Sequence, residues 1–368
     1  MVLHGRSETL MPQVQHFLTR RISARPNLCR RLLATVSGPR PLPATLFSRY
    51  VVEPRKVTIV GAPLADGQPL LGVDRGPTFI RKRGLVQRLE RDAWRVEDLG
   101  DLDFERRSGL GRQEDFAAGA AHGSTKRAKM VGHANRILYE VTHEHARQDK
   151  LVLTLGGDHS IGVGSVAGAL KGRPETAIIW VDAHADINSR NTSESGHLHG
   201  MVLSFLMNLD NSRNMKGFHW LNDESIPVLL PTRLVYVGLR DLDKGEKAFI
   251  RSLGIKAYTM HEVDKFGIGK IMEMVLDHIL GRTDRPLHLS FDIDAVDPLY
   301  APSTGTRVAG GLSYREAYYI CEEVAHSGCL ASMDLVEVNP TLTTAGGDER
   351  TVDMAVGLIS SATGNSIL

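Results

Sequence analysis

Two short stretches of this chain concentrate side chains of the kind that hold metal ions: Asp182-Ala183-His184-Ala185-Asp186 and Asp292-Ile293-Asp294. A third, Gly156-Gly157-Asp158-His159, adds an imidazole beside a carboxylate. In extended backbone, side chains at i, i+2 and i+4 lie on one face, so Asp182, His184 and Asp186 can converge, as can Asp292 and Asp294. Four carboxylates in a small volume repel one another and must take up protons unless cations supply the balancing charge. Two divalent ions bring four positive charges against the four negative ones of Asp182, Asp186, Asp292 and Asp294. The imidazoles of His159 and His184 complete a set of six, enough for two metals only if some carboxylates bridge, as in sites whose ions lie roughly 3.5 to 4 Å apart. This shell of oxygen and imidazole donors, free of thiolate, suits harder ions than zinc and favours Mn(II) over Mg(II). Cobalt, nickel and iron remain compatible with it. Each stretch alone also has an ordinary reading, as a tight turn, a hydrogen-bonded histidine or a helix cap; their joint placement argues for the site.

That placement depends on the elements that precede them. Val57–Gly61, Leu151–Leu155, Ala177–Val181, Leu234–Val237, Leu287–Phe291 and Leu330–Leu335 are short apolar runs that read as buried strands. Between them, Lys129–Arg147, Gly267–Leu280 and Tyr314–His326 have the length and amphipathic spacing of helical crossovers. The expected fold is therefore one α/β domain, a mainly parallel sheet with helices on both faces, beginning near Lys56 and running to residue 368. In such a sheet the ligand site lies beyond the carboxyl ends of the strands, which is where the three acidic and histidine-bearing stretches fall.

Over 368 residues the formal net charge is +1, without the concentrated basic face that nucleic acid or a membrane surface would require, so a small-molecule ligand is expected. Cys29, Cys321 and Cys329 form no CxxC pair and no evenly spaced framework, which excludes a disulfide scaffold or thiolate zinc site as the organising feature. No apolar run has the length of a membrane span. The first fifty residues stand apart: Arg6, Arg20, Arg21, Arg25, Arg30, Arg31, Arg40 and Arg49 are opposed only by Glu8, with no lysine. Residues 1–50 are expected to be a mitochondrial presequence, the alternative being a disordered basic arm on a cytoplasmic protein.

Read in order, GGDHS, WVDAHADIN, SGHLHG, GLRDLDKGE, SFDID, STGTRVAGGLSYRE and MDLVEVNP give a set that closely resembles the arginases of the ureohydrolase superfamily. The resemblance runs from about Lys56 to about Val356 and takes in Gly72-Val73-Asp74-Arg75-Gly76-Pro77. It implies a three-layer α/β/α fold and binuclear hydrolysis of L-arginine to L-ornithine and urea by a hydroxide held between two Mn(II) ions. Carried over residue by residue, it makes Asp182 and Asp292 the bridging ligands, with His159 and Asp186 on one ion and His184 and Asp294 on the other. Asp186 would pass a proton toward the departing amino group, His199 would shuttle protons to solvent or to ornithine, and Glu337 would pair with the guanidinium. Asn188 and Ser195 would receive the substrate's α-carboxylate, Asp243 and Glu246 its α-amino group, and Thr306 would help line the site. The same resemblance implies an oligomer, most often a trimer, with Arg350 at the interface.

Two positions depart from the family pattern. His197 stands where asparagine is common, in Ser195-Gly196-His197-Leu198-His199, and could still donate to the substrate carboxylate. Arg307 stands where proline usually follows the TGT segment. Both bear on substrate preference, so an agmatinase or another guanidino-acid ureohydrolase is the competing expectation, followed by a noncatalytic subunit of the same fold. Asn188 and Ser195 could also serve only to stabilise their loop, and Asp243 or Glu246 only to cap a helix starting near Lys244.

Overall fold

The structure, a computed structural model, describes residues 48–51, 55–105, 125, 127–281, 283–343 and 346–366. The expected basic segment over residues 1–50 lies outside this set, apart from Ser48, Arg49 and Tyr50.

Eight parallel strands form one sheet: β1 (Lys56–Ala62), β2 (Arg95–Asp101), β3 (Leu151–Gly156), β4 (Ala177–Val181), β5 (Leu234–Leu239), β6 (Lys256–Thr259), β7 (Leu287–Asp292) and β8 (Leu330–Val336). Their order across the sheet is β2-β1-β3-β8-β7-β4-β5-β6. The six central strands are the apolar runs marked in the sequence. Alternate residues on each belong to different cores. Val57 and Ile59 of β1, like Ile179 and Val181 of β4, face one core, while Val60, Ile178 and Trp180 face the other.

Helices cover both faces. On the first face pack α1 (Gly76–Lys82), α2 (Leu85–Arg91), α7 (Met260–Phe266), α8 (Ile268–Leu280), α9 (Tyr314–His326) and α10 (Gly347–Ala362). On the second pack α3 (Ala128–Ala146), α4 (Gly162–Gly172), α5 (Val202–Met207) and α6 (Lys244–Leu253). Strands buried on both sides in this way contribute the hydrophobic term twice, at about 1.5 to 3 kcal/mol per large apolar side chain. The start of α9 is fixed by a capping box in which the Ser313 hydroxyl accepts from the Glu316 backbone N–H and the Glu316 carboxylate accepts from that of Ser313. The expected three-layer α/β domain is borne out. Among the described residues no helix is long and apolar enough to cross a membrane.

The strand order places the site. β3 and β4 are consecutive in sequence yet are separated in the sheet by β8 and β7. β3 and β4 are followed by α4 and α5 on the second face, β7 and β8 by α9 and α10 on the first, so the chains part to opposite faces and leave a crevice beyond the carboxyl ends of these four strands.

Candidate metal centre and its rim

Each of the three ligand-bearing stretches follows a central strand: His159 after β3, Asp182 to Asp186 after β4, and Asp292 to Asp294 at the end of β7. The local geometry differs from the strand pleat expected from the sequence. β4 ends at Val181 and Asp294 lies in a single turn of 3-10 helix, Ile293–Ala295, so pleat alternation does not bring these side chains together. Instead, each stretch is folded by an aspartate that accepts a hydrogen bond from the backbone N–H two residues on. Asp158 accepts from Ser160 at 2.9 Å, Asp182 from His184 at 2.7 Å, and Asp292 from Asp294 at 2.8 Å. The Asx turns at Asp182 and Asp292 aim their i and i+2 side chains into one crevice, and the turn at Asp158 presents its next residue, His159, to the same place. Asp186 is held at φ 50°, a left-handed conformation unusual for a residue with a Cβ.

The ligand atoms form two clusters. In the first, His159 Nδ1 lies 3.1 Å from Asp182 Oδ2, 3.0 Å from Asp186 Oδ2 and 3.1 Å from Asp292 Oδ2. In the second, His184 Nδ1 lies 3.1 Å from Asp294 Oδ2 and 3.5 Å from Asp182 Oδ1. The two oxygens of Asp182 thus face different clusters. Donor atoms about 2.0 to 2.2 Å from a shared cation lie about 3 Å apart when roughly a right angle separates them, so these spacings fit one divalent ion per cluster.

Electrostatics agree with that fit. Burial, the neighbouring Asp294 and Asp182 push the Asp292 carboxyl well above the usual range, and burial with Asp182 raises Asp294. Burial followed by Asp182 brings Asp186 up to about 6. Burial alone would lower both imidazoles, yet the surrounding carboxylates outweigh it and raise His159 and His184. Asp182 runs the other way: it is held below the normal carboxylate range despite burial, because both histidines address it. Without cations the cluster is therefore rich in protons, which metal ions would displace.

Outer contacts fix the ligands. His159 Nε2 lies 2.9 Å from Ser290 Oγ, which can take the ring's second N–H and leave Nδ1 to ligate. The His159 ring stacks on Trp180, 4.2 Å between centroids, and the Trp180 indole N–H donates to Asp182 Oδ2 at 3.0 Å. Thr306 Oγ1 donates to Asp294 Oδ2 at 2.7 Å. Ser290 and Trp180 were not singled out in the sequence, and Asp158 was marked only as the carboxylate beside His159. The first two sit two residues before Asp292 and Asp182, on the strand face that leads to the ligand, and that spacing was the available signal.

Glu337 and His199 meet beside the first cluster. Glu337 is buried at φ 62°; its Oε1 accepts from the His159 backbone N–H at 2.8 Å and lies 3.2 Å from His199 Nδ1. Among the described residues its Oε2 has no hydrogen-bond partner. For His199, burial lowers the imidazole, but Glu337, with Asp186 and Asp158 behind it, brings it up to about 9.

The remaining expected residues lie on loops around this core. Asn188 Nδ2 donates to Asp243 Oδ2 at 2.8 Å. Asp243 and Glu246 do cap α6 through a capping box, as the plainer expectation held. They also turn toward the crevice: Glu246 is buried and brought up to about 8 by burial, Asp186 and Asp243. Ser195 is exposed, its hydroxyl accepting from the His197 backbone N–H at 3.2 Å. The His197 ring stands edge-on to His199, 6.1 Å between centroids. Arg307 is exposed and donates back into its own loop, to the Thr304 carbonyl at 3.1 Å.

Residues 55–364 match the family model described as "Arginase family". An arginase of Glaciozyma antarctica is 42% identical over 91% of this chain and 95% of its own length. Mouse arginase-1 is 44% identical over 83% of this chain and 92% of its own. Among solved structures, an arginase from Bacillus caldovelox superposes with a TM-score of 0.75 at 37% identity, covering 85% of this chain and all of that one.

Proposed function

The chain belongs to the arginase family, and from that membership we propose that it hydrolyses the guanidino group of L-arginine to give urea and L-ornithine at a binuclear metal site. The observation that carries this reading is the pair of donor clusters joined through the two oxygens of Asp182. His159, Asp182, Asp186 and Asp292 would hold one ion; Asp182, His184, Asp294 and the bridging Asp292 the other. Manganese suits the mixture of carboxylate and imidazole donors. When bound, two such cations lower the pKa of coordinated water and so supply a nucleophile at neutral pH.

The protein's own groups do the remaining work. Glu337 offers Oε2 to the guanidinium and orients the central carbon toward the metal pair. Asp186 passes a proton to the departing amino group. His199, partly exposed and paired with Glu337, exchanges protons with solvent or ornithine. Asn188, Ser195 and His197 receive the α-carboxylate, Asp243 and Glu246 the α-amino group, and Thr306 steadies Asp294.

Two further features belong to the proposal. A homotrimer is expected on family grounds, with Arg350 at the interface; its guanidinium donates to the carbonyl of Leu299, an exposed apolar residue. Mitochondrial import is expected from the arginine-rich, acid-poor segment over residues 1–50. Fusing that segment to a fluorescent reporter tests it, diffuse cytoplasmic signal being the contrary result.

The reaction is tested by measuring urea release from L-arginine, agmatine and 4-guanidinobutyrate in parallel with manganese-loaded protein. Preference for L-arginine is expected. Preference for agmatine, which lacks the α-carboxylate, would reassign the chain to another ureohydrolase activity, and absence of turnover on all three would indicate a noncatalytic subunit.

A further inference from the structure

The side-chain amide of Asn188 is held by an ordered relay of hydrogen bonds. Asp243 accepts only, so the contact of 2.8 Å to its Oδ2 must come from Asn188 Nδ2. That orientation turns Asn188 Oδ1 toward Thr192, whose hydroxyl donates to it at 2.8 Å. The same hydroxyl accepts from the Ser189 backbone N–H at 2.9 Å, and of the two acceptors open to its single proton, Asn188 Oδ1 at 2.8 Å is far closer than the Ser189 carbonyl at 3.4 Å. Ser189 is fully buried, and its hydroxyl donates to Asp210 Oδ2. On the far side, α6 presses Gly245 against the pair. A Cβ there would lie 2.5 Å from Thr192 Cβ and 2.9 Å from Asn188 Oδ1, so only glycine permits the approach.

An amide carries two N–H donors, and among the described residues the Asn188 amide spends one of them, on Asp243. We propose that Thr192 is a positioning residue for substrate recognition: it fixes the Asn188 amide so that the second N–H is kept for the α-carboxylate of an amino-acid substrate. The proposal rests on the reading of the site as one that acts on L-arginine. A flipped amide would set Oδ1 against the Asp243 carboxylate and present oxygen to the substrate's anion. Thr192 opposes that flip without touching substrate.

The test compares wild type with Thr192→Val, which removes the hydroxyl at nearly constant volume, and with Thr192→Ser, which keeps it. Steady-state urea release from L-arginine and inhibition by L-ornithine are measured on the manganese-loaded full-length protein, with metal content determined for each variant. If the freed amide turns, Asn188 loses its hydrogen bond to the substrate's charged carboxylate, so Thr192→Val should raise KM and weaken ornithine inhibition by about 10-fold. The value of kcat should stay within about twofold, as for loss of uniform binding. Thr192→Ser should restore both constants; Thr192→Ala serves the same comparison if the valine variant does not fold. Wild-type KM and ornithine inhibition in Thr192→Val would overturn the proposal. So would a joint fall of kcat, metal content and affinity that Thr192→Ser fails to rescue. A wild-type protein that releases no urea from L-arginine would instead overturn the functional reading.

Discussion

Asp182 divides its carboxylate between two histidines, and that division lets one buried residue serve two ions. The neighbouring carboxylates matter through charge as much as through contact. Asp292→Ala should therefore lose metal and activity together, whereas Glu337→Gln should retain both ions and still fail to turn over arginine. Metal analysis beside a urea assay separates the two, and an active Glu337→Gln variant would remove Glu337 from the guanidinium. Acidity gives a second prediction at this scale. In metal-free protein, burial and neighbouring carboxylates bring Asp186, Asp158 and Glu246 up to about 6, 7 and 8, well above the ordinary carboxyl range. Between about pH 4 and 8 the folded state thus binds more protons than the unfolded chain, and its stability falls as pH rises. His159 and His184, raised above the ordinary imidazole value, act in the same sense from about pH 6.5 upward. Melting of chelator-treated protein should shift to lower temperature from pH 5 to 8, and the stabilisation gained on adding Mn(II) should grow over that range. A melting temperature of metal-free protein that climbs with pH would contradict the cluster's electrostatics.

At the scale of elements, the strand ends are set by turns and by close backbone approach. A Cβ at Gly157 would lie 1.9 Å from the Leu64 carbonyl oxygen, so Gly157→Ala must displace the backbone that carries His159. A cost on the order of 3 kcal/mol is expected, with lower melting temperature and weakened metal binding; an unperturbed variant would show that the approach is not required. Physical chemistry explains which elements the sequence disclosed. Six strands are buried on both faces, so their residues are mostly apolar, and the polar ones among them, such as Thr58, Thr154, His288 and Asp334, are buried as well. The two missed, β2 and β6, lie at the sheet edges, where Arg95, Glu97, Asp98, Asp101 and Lys256 replace apolar residues and discourage further pairing. Helix α4 was hidden for the opposite reason. Gly162, Gly164 and Gly168 lower its helical propensity, yet they let it pack closely and Gly164 and Gly168 meet the backbone of α3. The ligand set was legible because an i, i+2 acidic pattern marks an Asx turn as well as a pleat, so the spacing was informative although its geometric reading was mistaken. Thr192 gave no signal, since its role depends on α6, fifty residues on, arriving beside it.

For the whole molecule, the sheet order converts four separate chain segments into one site. β3, β8, β7 and β4 are adjacent only because two late strands enter the gap between two early ones. Ions at their carboxyl ends would tie together strands that are otherwise joined through hydrogen bonds and packing alone. At a hundredfold excess over Kd, ligation confined to the folded state adds about 2.7 kcal/mol, so chelator should lower the melting temperature and Mn(II) should restore it. The most direct test is a crystal of manganese-loaded protein measured at the manganese absorption edge. Two anomalous peaks roughly 3.5 to 4 Å apart are predicted, one beside His159 and the other beside His184, with Asp182 between them. A single peak, or metal bound elsewhere with these side chains apart, would contradict the account.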